Sequence, residues 1–271
     1  MKAEVLTPED IECFIESGYA MVRGGFTARQ AAAACQCLWR RMEEKAGIRE
    51  SDPSTWPDKY DIEEHLSNPE VLDCFTDRIA DAIEQLTGPG RWRGDRRWGL
   101  WPVNFSFRSG EPYDYLTAGW HIDGNWFIHK INSREQGLLV VGLFTDIEPR
   151  WGGTTLSLGS HKQTARVLAA HPEGIAHLDL FREVLSEPIG NFREVTGAAG
   201  DVLLAHPFLF HNRGMKHGGP PRIISNTEAG LRAPMVLSGI AGTTYTVLEQ
   251  SIRKALREAP VVPPDARLCR F

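Results

Sequence analysis

The sequence lacks long hydrophobic runs and is poor in cysteine. Its 271 residues contain no stretch of about 18 apolar residues, the length that a membrane-spanning helix needs. The cysteines form no Cys-x-x-Cys unit and are odd in number, namely Cys13, Cys35, Cys37, Cys74 and Cys269. Such usage is typical of reduced thiols, and the first residues form no apolar signal region. We therefore predict a cytoplasmic protein with no membrane partner.

An excess of basic residues is also absent. The formal net charge is −5 and the isoelectric point is near 6.0. Nucleic-acid-binding domains normally carry a strongly basic face, so we predict no nucleic-acid partner. One local basic cluster contains Arg91, Arg93, Arg96 and Arg97. We interpret it as a solvated loop or strand edge, with contact to an anionic substrate as the alternative. Nothing in the sequence indicates an oligomeric state.

The remaining pattern predicts one domain over residues 1–271 with three parts. Residues 1–97 are mainly helical, residues 98–235 form a β core, and residues 236–271 hold a C-terminal helix and tail. Cap residues and apolar spacing predict helices from Pro8 to Gly18, Thr27 to Gly47, Asp77 to Leu86 and Leu248 to Glu258. The polar stretch from Ile48 to His65, around Trp56 and Tyr60, is predicted to be a long loop that closes over a site as a lid, with a mobile surface loop as the alternative.

The β core is predicted from short β-branched and aromatic runs that Gly and Pro separate. These runs are Trp98–Phe107, Leu138–Asp146, Thr154–Leu158 and Asp201–Phe210. Short strands with turn signals between them are typical of a mostly antiparallel barrel or sandwich. Two short helices, Gln163–Ala170 and Leu178–Leu185, are expected in an insertion within this core.

The segment Trp120-His121-Ile122-Asp123 is the clearest candidate for metal binding. In extended chain, residues i and i+2 point to the same side, so an imidazole and a carboxylate can share one metal ion. A site of two histidines and one carboxylate binds Fe(II) and leaves positions open for other ligands, but it requires a second histidine from elsewhere.

The run from Gly200 to His211 offers two histidines for that role. In a regular strand, His206 and His211 would point to opposite faces, so at most one can reach the metal. His211 stands at the end of the run, before a polar turn, and is the preferred ligand. His206 stays as the alternative, because a bulge at Pro207 would change the alternation.

A basic residue follows this candidate ligand. Arg222 comes directly after the turn Gly219-Pro220-Pro221 and opens an apolar stretch. Burying an arginine is costly unless it meets an anion, and its planar fork suits a carboxylate. We therefore predict that Arg222 binds an anionic ligand, with an ordinary surface position as the alternative.

The ordered set of motifs resembles the phytanoyl-CoA dioxygenase family of Fe(II)- and 2-oxoglutarate-dependent oxygenases. The likeness spans most of the chain and rests on Gly18-Tyr19-Ala20-Met21-Val22, Trp120-His121-Ile122-Asp123, Phe144-Thr145-Asp146, Gly153-Thr154-Thr155-Leu156, Gly159-Ser160-His161-Lys162 and the blocks from Gly200-Asp201 through His211 to Pro221-Arg222. The resemblance implies a double-stranded β-helix, or cupin-like jelly roll, with flanking helices. It also implies an iron site of His121, Asp123 and His211, while Arg222 binds the distal carboxylate of 2-oxoglutarate. His161 belongs to a turn that is mainly structural in this family.

The chain departs from the family pattern at three positions. Arg213 replaces a small hydroxyl residue, Gly142 or a neighbouring valine replaces a tryptophan, and Leu158 replaces a proline. Arg213 and Asn104 are candidates for binding the co-substrate, and both can equally face the substrate. Trp126, Asn125 and Trp101 are candidates for binding the substrate, and each is also compatible with core packing or a turn.

The resemblance implies an enzyme that uses Fe(II), 2-oxoglutarate and O2 to hydroxylate, desaturate or cyclise a small molecule, with release of succinate and CO2. Asp123 favours hydroxylation-type chemistry, because related halogenases have a small residue in its place. Two alternatives remain: a cupin-like metal enzyme that does not use 2-oxoglutarate, and a catalytically silent jelly-roll binding protein.

Overall fold

The computed structural model describes residues 4–135, 137–239 and 242–269. Its helices are α1 (Pro8–Ser17), α2 (Ala28–Ala46), α3 (Pro69–Leu72), α4 (Asp77–Thr87), α5 (Ser160–Ala170), α6 (His177–Val184) and α7 (Val247–Ala255). Thr7 and Thr27 cap α1 and α2 through reciprocal hydrogen bonds, and left-handed glycines, Gly18 and Gly47, end them. The helix predictions are thereby confirmed to within a few residues.

The strands form two sheets. The six-stranded sheet has the order β1-β7-β4-β9-β3-β2 and the three-stranded sheet the order β6-β5-β8, and the strand pairs within both sheets are antiparallel. The strands are β1 (Tyr19–Val22), β2 (Lys59–Ile62), β3 (Trp101–Asn104), β4 (Leu139–Leu143), β5 (Thr154–Ser157), β6 (Phe192–Glu194), β7 (Val202–Ala205), β8 (His211–Arg213) and β9 (Arg222–Glu228).

An aromatic cluster packs on β3 and β4. Trp98 and Trp101 meet Phe144 edge to face, with ring centroids 5.5 and 4.9 Å apart. All three side chains are buried. A Cβ atom at Gly142 would lie 2.8 Å from the Trp98 ring, so glycine is required there. The Trp98 ring therefore occupies space beside β4 that a large side chain at position 142 would need.

Two sequence predictions differ from the structure. The run from Asp201 to Phe210 is not one strand: β7 ends at Ala205, and after a turn β8 begins at His211 in the other sheet. The predicted loop from Ile48 to His65 contains a short 3₁₀ helix and β2, which pairs with β3. Trp56 packs on Trp39 and Phe105, so this segment is built into the fold and its lid role is not supported.

The basic cluster is a structural feature. Its arginines bond to acidic side chains or a backbone carbonyl, in the contacts Arg91–Glu249, Arg93–Leu231, Arg96–Asp77 and Arg97–Glu228. No helix in the described part of the chain has the length and apolar character to cross a bilayer.

Candidate metal centre

A single pair of backbone hydrogen bonds brings two histidines together. The amide of His121 donates to the carbonyl of His211 at 3.0 Å, and the amide of His211 donates back at 2.9 Å. Residues opposed in this way hold their side chains close on the same side. The two imidazole centroids are accordingly 4.4 Å apart.

Asp123 completes the cluster from two residues beyond His121. Its Oδ1 lies 3.5 Å from Nε2 of His121, and its Oδ2 lies 3.7 Å from Nε2 of His211. The three ligand atoms lie within 4.8 Å of one another. Bonds of about 2.1 Å to nitrogen and oxygen place adjacent ligand atoms about 3 Å apart around one metal ion. The spacing is thus slightly wider than a bound ion requires.

Hydrogen bonds on the far side of each ring fix the tautomers. Nδ1 of His121 is 2.7 Å from the carbonyl of Gly119, and Nδ1 of His211 is 3.1 Å from the carbonyl of Leu209. A carbonyl only accepts, so each Nδ1 carries the proton and each Nε2 presents a lone pair. Nε2 of His211 is buried without a hydrogen-bond partner.

The converging atoms are therefore all acceptors. With both rings neutral, two imidazole lone pairs and a carboxylate converge, and a metal cation satisfies such a set. Burial raises the pKa of Asp123, but His121 and His211 outweigh burial and hold the pKa at about 2. Burial lowers the pKa of His211 to about 4. Both groups are thus in the forms that bind a metal at neutral pH, and the donor set fits Fe(II).

The centre is open on one side only. The His211 side chain is 4% exposed, while those of His121 and Asp123 are 39% and 28% exposed. Ligands would therefore approach from the side of the His121–Asp123 segment, while His211 faces the protein interior.

Arg222 is buried and incompletely paired. It opens β9, where its Cα lies opposite that of Asn104 on β3. Nε donates to the carbonyl of Gly152 at 2.7 Å and Nη1 to that of Pro102 at 2.9 Å, while Nη2 has no partner. Burial lowers its pKa to about 9, and it forms no ion pair within the described ranges. A buried guanidinium with a free donor fits an anionic ligand.

The side chain of Arg213 lies in the same region, and both of its terminal nitrogens form hydrogen bonds. It donates to Oδ1 of Asn104 at 2.8 Å and pairs with Asp61 on β2. Asn104 is buried and donates to the carbonyls of Gly152 and Gly214. The two candidates for co-substrate binding thus lie beside Arg222, where they are placed to support its position.

The structure separates His206 from the candidate centre. Its Nδ1 accepts from the amide of Phe208, and its ring lies 4.8 Å from that of His161, centroid to centroid. Nε2 of His161 bonds to the carbonyl of Ile15 in α1. His206 and His161 therefore belong to a buried cluster below the helices, outside the triad.

The three candidates for substrate binding have different positions. Trp126 is 57% exposed and Asn125 is also exposed, three and two residues beyond Asp123. Trp101 is completely buried, and its indole donates to the carbonyl of Glu64. Its position is suited to core packing rather than substrate contact, because alternate residues of β3 are buried on both faces.

Sequence reasoning did not find two histidines beside the centre. His129 bonds to the carbonyl of Gly124, next to Asp123, and to His177 at the start of α6. Neither histidine belongs to a sequence motif, and the two residues are 48 positions apart in the chain. The sequence carries no local signal that would have joined them.

Comparison with known proteins identifies the family and similar folds. The profile of the family described as phytanoyl-CoA dioxygenase (PhyH) matches residues 14–223. The structure is similar to that of SnoK, a non-haem α-ketoglutarate-dependent carbocyclase from nogalamycin biosynthesis, with 17% identity, 82% coverage of each chain and a TM-score of 0.53.

Two further solved structures show the same likeness. HygX from Streptomyces hygroscopicus, solved with nickel, 2-oxoglutarate and hygromycin B, has 16% identity and a TM-score of 0.50, with coverage of 82% of this chain and 86% of HygX. AviO1 from Streptomyces viridochromogenes Tue57 has 16% identity and a TM-score of 0.50, with coverage of 86% and 100%. No curated protein matches the chain by sequence. The structural likeness confirms the predicted jelly-roll core, and the family profile shows that the chain belongs to the phytanoyl-CoA dioxygenase family.

Proposed function

We propose that this Fe(II)- and 2-oxoglutarate-dependent oxygenase binds its iron through His121, Asp123 and His211 and anchors 2-oxoglutarate through Arg222. The observation that carries the proposal is the convergence of three acceptor atoms within 4.8 Å, with Nε2 of His211 buried and unpartnered. The substrate is a small molecule with an unactivated C–H bond, which is hydroxylated, desaturated or cyclised.

Backbone hydrogen bonds orient the two histidine ligands in the absence of a metal. The carbonyls of Gly119 and Leu209 orient the two imidazoles with Nε2 towards Asp123. His121, Asp123 and His211 would hold the ion and would leave other coordination positions open for the co-substrate and O2. When bound, Fe(II) activates O2, and hydroxylation then consumes the substrate, O2 and 2-oxoglutarate and yields the alcohol, succinate and CO2.

Arg222 supplies the charge that the far carboxylate of 2-oxoglutarate requires. Its Nη2 is the free donor, while the carbonyls of Gly152 and Pro102 hold the rest of the guanidinium in place. Asn104 on β3 donates to the same carbonyl of Gly152, and Arg213 on β8 donates to Asn104. A charged hydrogen bond in a buried position contributes about 1.5–3 kcal/mol, which is about 10- to 150-fold in affinity.

The proposal is tested by anaerobic titration of the purified protein with Fe(II) and then with 2-oxoglutarate. We expect the weak visible charge-transfer band of the iron–2-oxoglutarate chelate. Arg222→Ala should shift the midpoint of the 2-oxoglutarate titration by at least tenfold while iron binding stays unchanged. Arg96→Ala is the matched control, because Arg96 pairs with Asp77 at the surface.

Two results would reject the proposal. Retention of zinc on purification with no chelate band would favour a metal enzyme that does not use 2-oxoglutarate. Indifference of the protein to every divalent metal would favour a binding protein.

We also propose a cytoplasmic location. The support is that Cys35, Cys37 and Cys74 are buried thiols that form no disulfide. Fractionation of cells that produce the native protein would test this location.

A further inference from the structure

His177, the first residue of α6, stands beside the candidate metal centre without belonging to it. Two separate sets of contacts tie it to the metal ligands, one through His129 and one through Phe181. Neither set is needed to hold the metal, and the proposed function assigns His177 no task.

The first set of contacts runs through His129 to the residue after Asp123. Nε2 of His129 lies 2.9 Å from the carbonyl of Gly124 and 3.1 Å from Nδ1 of His177. Backbone hydrogen bonds of 3.0 and 2.9 Å between His129 and Ile175 hold the two segments side by side. The position of His177 is thereby fixed relative to Asp123.

The second set of contacts runs through aromatic rings to the distal ligand. The His177 ring lies 4.2 Å from the ring of Phe181, which meets Phe210 edge to face at 5.5 Å. Phe210 directly precedes His211. Burial lowers the pKa of His177, while the nearby His121 lowers it further and Asp123 raises it.

The hydrogen bonds of His129 determine which nitrogen of His177 carries the proton. The carbonyl of Gly124 accepts, so Nε2 of His129 must be protonated. That N–H also faces Nδ1 of His177, which is therefore an acceptor. The proton of a neutral His177 is then on Nε2, on the opposite side of the ring from His129. His177 thus presents one N–H donor that the protein does not use in any hydrogen bond of the described residues.

Large apolar side chains are exposed on the two segments that meet at the His129–Ile175 pair. Trp126 and Ile128 are each 57% exposed and Leu178 is 64% exposed, whereas most large apolar residues of the chain are buried. Trp126 and Ile128 lie in the segment between Asp123 and His129, and Leu178 follows His177. The pairing of His129 with Ile175 places these two segments next to each other.

We propose that His177 donates a hydrogen bond from Nε2 to an acceptor oxygen of the substrate, and that an apolar ring of the substrate packs on Trp126, Ile128 and Leu178. The substrate class is a ring-containing small molecule with a carbonyl or ether oxygen close to the carbon that reacts. This inference rests on the proposed function, because it takes the oxygenase centre as the place where that carbon is bound. His177 is a substrate-positioning residue in this arrangement.

The test uses a matched pair of ring compounds, 2-tetralone and tetralin, which differ in one acceptor oxygen. Their dissociation constants are measured by ligand-observed NMR on the protein loaded with Zn(II) and 2-oxoglutarate, which does not turn over. His177→Phe keeps a ring of similar shape and removes the donor. His177→Gln keeps an N–H close to the position of Nε2.

The quantity compared is the ratio of the two dissociation constants. We expect the ratio to favour 2-tetralone about fivefold more in the wild type than in His177→Phe, the effect of one neutral hydrogen bond. His177→Gln should keep most of the wild-type ratio. Thermal unfolding and the iron–2-oxoglutarate band are recorded for each variant, and both should be unchanged.

The outcomes separate this inference from the proposed function. An equal ratio in the wild type and His177→Phe, or failure of both compounds to bind the wild type, would overturn the role of His177 while the chelate band still supports the oxygenase. Absence of the band from the wild type would reject the proposed function itself.

Discussion

Among the described residues, two pairs of histidines have ring centroids less than 5 Å apart, and only one of these pairs is suited to a metal. His121 and His211 have ring centroids 4.4 Å apart, and His161 and His206 have centroids 4.8 Å apart. Both pairs include ring nitrogens that are buried without a hydrogen-bond partner. Distance and burial alone therefore do not distinguish the two sites.

The difference lies in which atoms carry the protons. In the His161–His206 pair, Nε2 of His161 donates to Ile15, so its Nδ1 is an acceptor. Nδ1 of His206 accepts from Phe208, so its Nε2 is a donor. The two unpartnered atoms are therefore one acceptor and one donor, which are complementary.

In the other pair, the Nε2 atoms of both neutral rings are acceptors and a carboxylate joins them. Ring rotation cannot pair two lone pairs and an anion with one another, whereas a cation satisfies all three. Hydrogen bonds on the far side of each ring, together with Asp123, therefore determine whether neighbouring histidines form a metal site.

The largest predicted effect separates the two pairs directly. Asp123→Ala should weaken Fe(II) binding by more than about 100-fold, because loss of residues that only support a ligand already costs 10- to 100-fold. His206→Phe should leave Fe(II) affinity unchanged. Anaerobic competition with a metal chelator measures both values. Equal losses of Fe(II) affinity in the two variants would show that His206 also contributes to metal binding.

The next prediction concerns a second unpartnered group, Nη2 of Arg222. In the wild type with Fe(II) bound, 2-oxoglutarate at 100 times its dissociation constant should add about 2.7 kcal/mol to the free energy of unfolding. Arg222→Met should remove most of this ligand-dependent gain. The unfolding free energy without ligand should change by only about 1 kcal/mol, since the lost hydrogen bonds are offset by removal of a buried charge.

Denaturant titration with and without 2-oxoglutarate gives both numbers for Arg222→Met. A full ligand-dependent gain in this variant would mean that the co-substrate carboxylate binds elsewhere. A large loss without ligand would mean that Arg222 is structural, as the buried His161 is.

Several parts of the centre were predictable from sequence for physical reasons. The alternation of side chains in extended chain places His121 and Asp123 together, and the cost of burying a charge singles out Arg222. The structure brings His121, Asp123 and His211 into one cluster. Their assignment as iron ligands stays a prediction until metal binding is measured.

Other parts were not predictable because they depend on contacts distant in sequence. The run from Asp201 to Phe210 is β-prone throughout, so its composition does not reveal the break that moves His211 into the second sheet. Strand β2 lies in a polar segment and is formed by pairing with β3. His177 reaches the centre only because its helix docks against the segment that follows Asp123.

The smallest predicted effect tests whether the second histidine pair is purely structural. Burial lowers the pKa of His161 to about 4, below the ordinary value of 6.5. Between these values the unfolded chain binds more protons than the folded one, so the contribution of neutral His161 to the free energy of unfolding is complete above pH 6.5 and is lost as the pH falls towards 4.

His161→Gln retains a donor for the carbonyl of Ile15 but does not titrate. Its unfolding free energy should therefore fall less than that of the wild type between pH 6 and pH 5, by about 1 kcal/mol, in denaturant titrations at the two pH values. Charges elsewhere are common to both proteins and cancel in this difference. Parallel decreases would mean that His161 is not held neutral by burial, and the contrast between the two pairs would then rest on Asp123 alone.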